Sequence, residues 1–390
     1  MRDKKTVGCL VFIAMVMGIW LFRSSQGLTT EHQGPYESPA VCATCHADIH
    51  GMWANGMHAQ AYDDPIFKAS FLQAFFETEG KATRFCLSCH DPTSQIGEDY
   101  KVKKDIIGAG VTCDFCHTVQ DVDLTSKGFS FVSRPGTKKT GPYLNSRSPA
   151  HETEKKPFFQ KSEFCARCHQ LLGQDGVEII GTYREWKESS YAAEGIQCQD
   201  CHMPIEPGKK IVYQEGKSSK RPVNLHNLAG GHSIEQIRSA VKVEIRDISH
   251  DDDILFVTVH VTNVNSGHKI PTGTPSRQLV LRVSVRDRSG RLNLEREKIF
   301  QKVLIDDDKQ ILVKDHEILL QASRIYYDNR IGPEEVREVS FSFTIPYPDL
   351  IADWKRKLAI EAVAVYQYRP EVMGFQPMVI EIAGDRYTMK

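Results

Sequence analysis

The chain has 390 residues, a formal net charge of −1 and 41% hydrophobic residues. That length suits about two or three domains. The balanced charge and ordinary hydrophobic content exclude a disordered tail and a nucleic-acid binder working through a basic surface.

The N-terminus reads "MRDKK", then an apolar run from Val7 to Phe22, then Arg23 and a polar stretch. Sixteen residues span about 24 Å as a helix, against roughly 30 Å for a hydrocarbon core. The length suits a signal peptide or a signal anchor. No A-x-A-like cleavage site follows, so residues 1–23 are read as an uncleaved anchor in the inner membrane, with a cleaved signal as the alternative. The basic head predicts an inside N-terminus, with the rest on the periplasmic side. Residues 24–40 read as a polar linker.

Residues 41–240 carry five copies of one pentapeptide: Cys42-Ala-Thr-Cys45-His46, Cys86-Leu-Ser-Cys89-His90, Cys113-Asp-Phe-Cys116-His117, Cys165-Ala-Arg-Cys168-His169 and Cys198-Gln-Asp-Cys201-His202. Ten of the eleven cysteines lie in them. The chain's own Cys and His frequencies give roughly 0.01 such motifs by chance, so the pattern specifies c-type haem attachment. Two thiols three residues apart reach the two vinyl groups of one porphyrin, and the adjacent histidine becomes the proximal iron ligand. Zinc ribbons need no histidine directly after each pair. A disulfide framework would not repeat one pentapeptide. Five covalently bound haem c groups are expected. About 40 residues per haem is too few for an ordinary core, so short motif-bearing helices joined by loops are expected, with the porphyrins supplying buried apolar surface.

Beyond residue 240 the periodicity changes to two. Leu255, Val257, Val259 and Val261 share one face; Leu279, Leu281, Val283 and Val285 alternate with Arg282, Ser284 and Arg286; Val339, Phe341, Phe343 and Ile345 repeat the pattern. Residues 241–390 are therefore expected to form an antiparallel, Ig-like β-sandwich domain.

The stretches "CATCHADIHGMWANGMHAQAYDDPIF", "GVTCDFCHTV", "SEFCARCH" and "EWKESSYAAEGIQCQDCHMP" resemble the multihaem cytochromes that share the cytochrome c-552/4 domain, including the tetrahaem carriers of hydroxylamine oxidation. The stretch "GHKIPTGTPSRQ" resembles a segment that follows the haem domain in larger relatives. Five motifs stand here where the tetrahaem carriers have four, so one haem's placement does not carry over.

A bis-histidine haem needs a distal histidine besides the motif one. Ten histidines lie outside the motifs. His32, His50, His250, His260 and His316 are read as surface or satisfied groups. His50 follows His46 by four residues, so on a helix it shares that ligand's face. The distal candidates are His58 and His151, both by resemblance, His226 and His232, which frame "HNLAGGH", and His268. Glycines in "HNLAGGH" let the backbone approach a flat cofactor. Pro271, Gly267 and Gly273 suit a rigid turn presenting His268. A weak internal repeat sets Trp53 and His58 against Trp186 and Tyr191, where Tyr191 is read as a packing or hydrogen-bonding residue and, alternatively, as a tyrosinate ligand.

With every iron six-coordinate, the remaining chemistry is one-electron transfer between redox partner proteins. The leading expectation is therefore a pentahaem electron carrier without an enzymatic centre. Two alternatives remain: an oxidoreductase acting on a small nitrogen or sulfur compound at one open haem, and a quinol-oxidising membrane anchor subunit.

Overall fold

The computed structural model describes residues 36–96, 106–125, 128–144, 146–173, 176–205, 222–287, 292–346, 358–369 and 376–389, all within one compact unit. The expected anchor at 1–23 lies outside the described residues. Among those described, no helix is long and apolar enough to cross a membrane.

The motif-bearing half is built from short helices: Pro39–Ala43, Ala47–Ala54, Met57–Gln60, Pro65–Glu77, Thr83–His90, Pro92–Ile96, Cys113–His117, Glu163–His169, Thr182–Lys187, Ser190–Ala193 and Cys198–His202. Four of them, Pro39–Ala43, Pro65–Glu77, Cys113–His117 and Cys198–His202, begin where a side chain supplies a cap. Asp64 accepts from Phe67 N at 2.8 Å ahead of Pro65. Thr112 accepts from Phe115 N at 3.2 Å, and Gln197 with Asp200 forms a reciprocal box. Such caps satisfy the unpaired amides of a first turn. Between the helices run strands that the sequence pattern does not announce: β1 (Val119–Thr125) with β2 (Gly128–Ser133), β3 (Lys138–Gly141) parallel to β4 (Glu152–Lys155), and β5 (Leu171–Leu172) with β6 (Glu178–Ile180). The segment expected as linker ends early, because Tyr36 is buried against Phe115 and a helix starts at Pro39.

From helix Ile234–Ala240 onward the chain turns to strands: β7 (Val241–Asp251), β8 (Ile254–Asn263), β9 (Arg277–Asp287), β10 (Asn293–Phe300), β11 (Lys302–Ile305), β12 (Arg324–Asp328), β13 (Val336–Thr344), β14 (Leu358–Tyr368) and β15 (Met378–Thr388). Two antiparallel sheets, ordered β10-β9-β14-β15 and β13-β8-β7, enclose one apolar core. The two-residue alternation sets the register. Leu255, Val257, Val259 and Val261 are fully buried, and across the ladder Val259 faces Val339 and Val257 faces Phe341. In the other sheet Val283 and Leu281 stand opposite Ala362 and Ala364, large against small. Each buried branched side chain contributes about 1.5–3 kcal/mol relative to exposure. His250, placed by sequence in a turn, belongs to the end of β7; the turn is at Asp252, where φ is +48°.

Apolar burial is unequal between the halves. The large core draws only on residues 237–382, whereas the motif-bearing half contributes a small cluster of Tyr36, Ile106 and Phe115. A second cluster joins the halves, packing Ile179 of β6 on Leu304, Leu312, Ile318 and Ala322. Polar contacts reinforce that seam. Arg330 pairs with Glu185 at 2.7 Å, both side chains 4% exposed. Glu185 also accepts from Thr272 Oγ1 at 2.8 Å and from Lys269 N at 3.2 Å. Buried Lys302 donates to the carbonyls of Glu178 and Ile179, each at 3.3 Å.

Removing one partner of a buried ion pair strands the other charge at a cost of about 3–5 kcal/mol. Arg330 also pairs with Asp328 at 2.8 Å, so Glu185→Ala leaves that charge partnered and is expected to lose less, about 1–3 kcal/mol in denaturant unfolding. Burial opposes ionisation of Asp328, yet Arg330 and Lys269 hold its carboxyl well below the ordinary 3.8. A depressed carboxylate stabilises above its unfolded value and loses that contribution as pH falls through it. The acid-unfolding curve should therefore lose part of its slope below pH of about 4 in Asp328→Asn.

Candidate haem-binding site

Four motifs lie within one short helix each, whereas the first runs from the end of Pro39–Ala43 through a turn to His46 at the cap of Ala47–Ala54. None of the ten motif cysteines is engaged in a disulfide. Thiols of different motifs meet: Cys42 with Cys113, Cys89 with Cys168, and Cys165 with Cys198. Cys116 lies within electrostatic reach of Cys165 and Cys168. The five attachment sites therefore form one connected cluster.

The histidines are arranged to leave one nitrogen available. Nδ1 of His90 lies 2.8 Å from Ala61 O, that of His117 2.7 Å from Thr140 O, and that of His226 2.7 Å from Asn224 O. His202 makes the same contact with Ala229 O at 2.5 Å, and His151 with Glu152 O at 3.1 Å. A carbonyl at Nδ1 fixes the proton there and leaves Nε2 as the metal-binding nitrogen. Burial pushes His58 down to about 4, with His202 adding to it, and His169 down to about 3. Burial also lowers His46, His90, His117, His232 and His268 and takes His226 to about 4. These imidazoles are neutral near pH 7, the form that binds a metal.

Three motif histidines face a histidine from elsewhere in the chain. Ring centres are 6.5 Å apart for His46 and His151, 6.4 Å for His58 and His169, and 6.4 Å for His202 and His268. Two imidazoles trans on one metal, with bonds of about 2 Å and a ring radius of about 1.2 Å, place their centres roughly 6.4 Å apart. The motif cysteines, the neutral imidazoles and this spacing fit covalent haem c. Among the described residues, no histidine ring faces His90 or His117 at that spacing. Phe67 lies parallel to His90 at 3.7 Å, and Phe159 to His117 at 5.4 Å. His226 feels the charges of His117 and His46, and His232 shares Asp64 with His90.

His268 is held by the seam between the halves. Its Nδ1 lies 3.0 Å from Lys269 O and 2.9 Å from Ser266 Oγ, and the Lys269 amide is tied to Glu185. Gly267 packs closely on the Tyr191 ring, to which a Cβ there would lie 3.1 Å away. Burial and Glu334 hold the Tyr191 phenol above its ordinary value. The repeat noted in the sequence is structural. Trp53 Nε1 donates to Val111 O and Trp186 Nε1 to Ile196 O, both at 2.8 Å and both two residues ahead of a motif. Val111 N binds His58 O at 2.8 Å, as Ile196 N binds Tyr191 O at 2.9 Å. Gly110 and Gly195 take φ of +70° and +80°.

Other readings change. His316 is buried at 3% exposure, with Nε2 2.6 Å from Glu77, because its helix Asp315–Gln321 packs against Pro65–Glu77. Its charged sequence neighbours gave no sign of this. His260 pairs with exposed Glu338 at 3.0 Å, and His50 packs on Trp53. Of the glycines in "HNLAGGH", Gly231 admits the Arg277 guanidinium, which would lie 2.8 Å from a Cβ there.

Residues 41–118 match the family model described as cytochrome c554 and c-prime. The fold is similar to that of a penta-heme cytochrome c552 from Thermochromatium tepidum, with a TM-score of 0.68 and 21% identity over 90% of this chain and 99% of that one. The sporulation control protein Spo0M from Bacillus subtilis is a much weaker likeness, with a TM-score of 0.15 and 17% identity over 38% of this chain and 48% of that one. No curated protein matches the chain. The five motifs fit covalently bound haem c, residues 41–118 match one cytochrome family model, and the fold is similar to that of a penta-heme cytochrome.

The carbonyl of His58 packs against Gly110, where a Cβ would lie 2.3 Å from it. Gly110→Ala is expected to lower the melting temperature and displace the His58 segment, seen as altered low-spin paramagnetic resonance signals. Gly51→Ala, in a helix with open space around it, should leave the spectrum unchanged.

Proposed function

We propose that the protein is a periplasm-facing pentahaem electron carrier that relays electrons between redox partner proteins. The observation that carries this reading is the trio of opposed histidine pairs at one common spacing. We assign His46 with His151, His169 with His58, and His202 with His268 as axial pairs, and His226 and His232 as the distal partners of His117 and His90. Haem c supplies reversible one-electron chemistry when bound. The chain's own residues do the rest. Backbone carbonyls orient the imidazoles, burial keeps them neutral, and the meeting thiols bring neighbouring attachment sites together. Full bis-histidine ligation leaves no iron position open to substrate, which favours relay over catalysis.

One observation favours a second reading. His90 and His117 have aromatic rings beside them and, among the described residues, no histidine ring at ligand spacing. A haem left open at either would make the protein an oxidoreductase for a small nitrogen or sulfur compound.

Electron paramagnetic resonance of the oxidised holoprotein, with the haem count measured on the same sample, separates the two. Five haems with only low-spin signals are expected, and one haem turning high-spin in His268→Ala. A high-spin signal in the parent protein would favour the oxidoreductase. A His268→Ala spectrum identical to the parent would remove His268 from the ligand set.

A further inference from the structure

Arg277 opens β9 and points back toward the motif-bearing half. Its Nη1 donates to Thr272 O at 3.3 Å, its Nε is buried without a hydrogen-bond partner, and its guanidinium lies 5.7 Å from the centre of the Tyr368 ring. Among the described residues, no carboxylate stands within ion-pair distance of it. Asp315, the nearby buried acid, is already engaged by Ser276 and by Tyr368 Oη at 2.8 Å. The backbone makes room for the cation twice. A Cβ at Gly231 would lie 2.8 Å from Nη1, and one at Gly273, where φ is +88°, would lie 2.9 Å from it. Gly231 immediately precedes His232, and the charge of Arg277 acts on both His232 and His169.

A buried guanidinium is costly unless an anion with matching acceptors meets it. Its planar fork of five donors suits a carboxylate above other partners. Every haem brings two carboxylates of its own. We propose that Arg277 is the clamp for a haem propionate in the space bounded by His169 and His232. This assignment rests on the haem-binding reading above. The strand half thus holds the cofactor cluster by a charge as well as by His268, and the clamp sets the potential of the haem it touches. A neutralised propionate favours the reduced iron, and an unneutralised one favours the oxidised iron.

The test is a spectroelectrochemical titration of Arg277→Gln and Arg277→Lys beside the parent holoprotein. Arg277→Gln should keep its haems while one component falls in potential by about tenfold in its reduction equilibrium, about 59 mV for one electron. Arg277→Lys, which retains the charge but not the fork, should recover part of the shift. Adding formate or chloride to the parent should move nothing. A potential that follows the added anion would show a soluble anion in the site and overturn the clamp. So would an Arg277→Gln titration that superimposes on the parent. A crystal structure of the parent holoprotein decides the matter even where the variants do not accumulate: a propionate oxygen within hydrogen-bonding distance of Arg277 is expected, and a guanidinium facing only solvent overturns the proposal. The haem count is read separately. Fewer than five haems counts against the relay, whereas five haems with unchanged potentials counts against the clamp alone.

Discussion

An imidazole that serves a metal must be neutral, aimed and cleared of water, and this requirement organises the motif-bearing half. Neutrality comes from burial, which lowers His58, His169 and His226 furthest. Aim comes from backbone carbonyls at Nδ1, a contact repeated on His90, His117, His202 and His226. Neither device needs a large apolar core. This half has little of one, and its short helices are held by caps, indole hydrogen bonds and contacts between motifs. A fold built this way depends on its cofactors for packing that side chains would otherwise provide.

The strand half answers the opposite demand. Its two sheets bury a continuous core without help, and it presents to the other half a loop, a buried acid–base pair and an apolar cluster. Glu185 stands at the centre of that seam, accepting from Thr272 and Lys269 while paired to Arg330. A buried pair of this kind contributes more to geometry than to net stability. Here the geometry is that of the loop carrying His268, which is tied at Lys269 to the helix Thr182–Lys187. The rigid half thus fixes a side chain whose partner, His202, belongs to the half with little core.

Much of this was legible in the sequence because it is local. The five pentapeptides are complete in themselves, and period-two runs such as Leu255 to Val261 declare both strand and buried face. The tryptophan repeat was visible too, though its meaning was not: the indoles bind the carbonyls of Val111 and Ile196, contacts that no spacing rule encodes. Long-range pairing was the harder part. The separation of His268 from His202 along the chain says nothing of their 6.4 Å approach. His316 looked like a surface residue because its neighbours are charged, yet helix packing buries it against Glu77. The glycines of "HNLAGGH" signalled close approach correctly, but at Gly231 the group that approaches is Arg277.

The doubled unit of indole, left-handed glycine and motif holds two different side chains. The first copy sets His58 opposite His169 of a later motif. The second copy offers Tyr191, whose ring is covered by Gly267 of the strand half. Here the second unit differs from the first by presenting a phenol beside Gly267 where the first presents an imidazole. One backbone unit thus carries either an imidazole facing a later motif or a phenol facing the strand half, while the number of attachment sites follows from the motifs themselves.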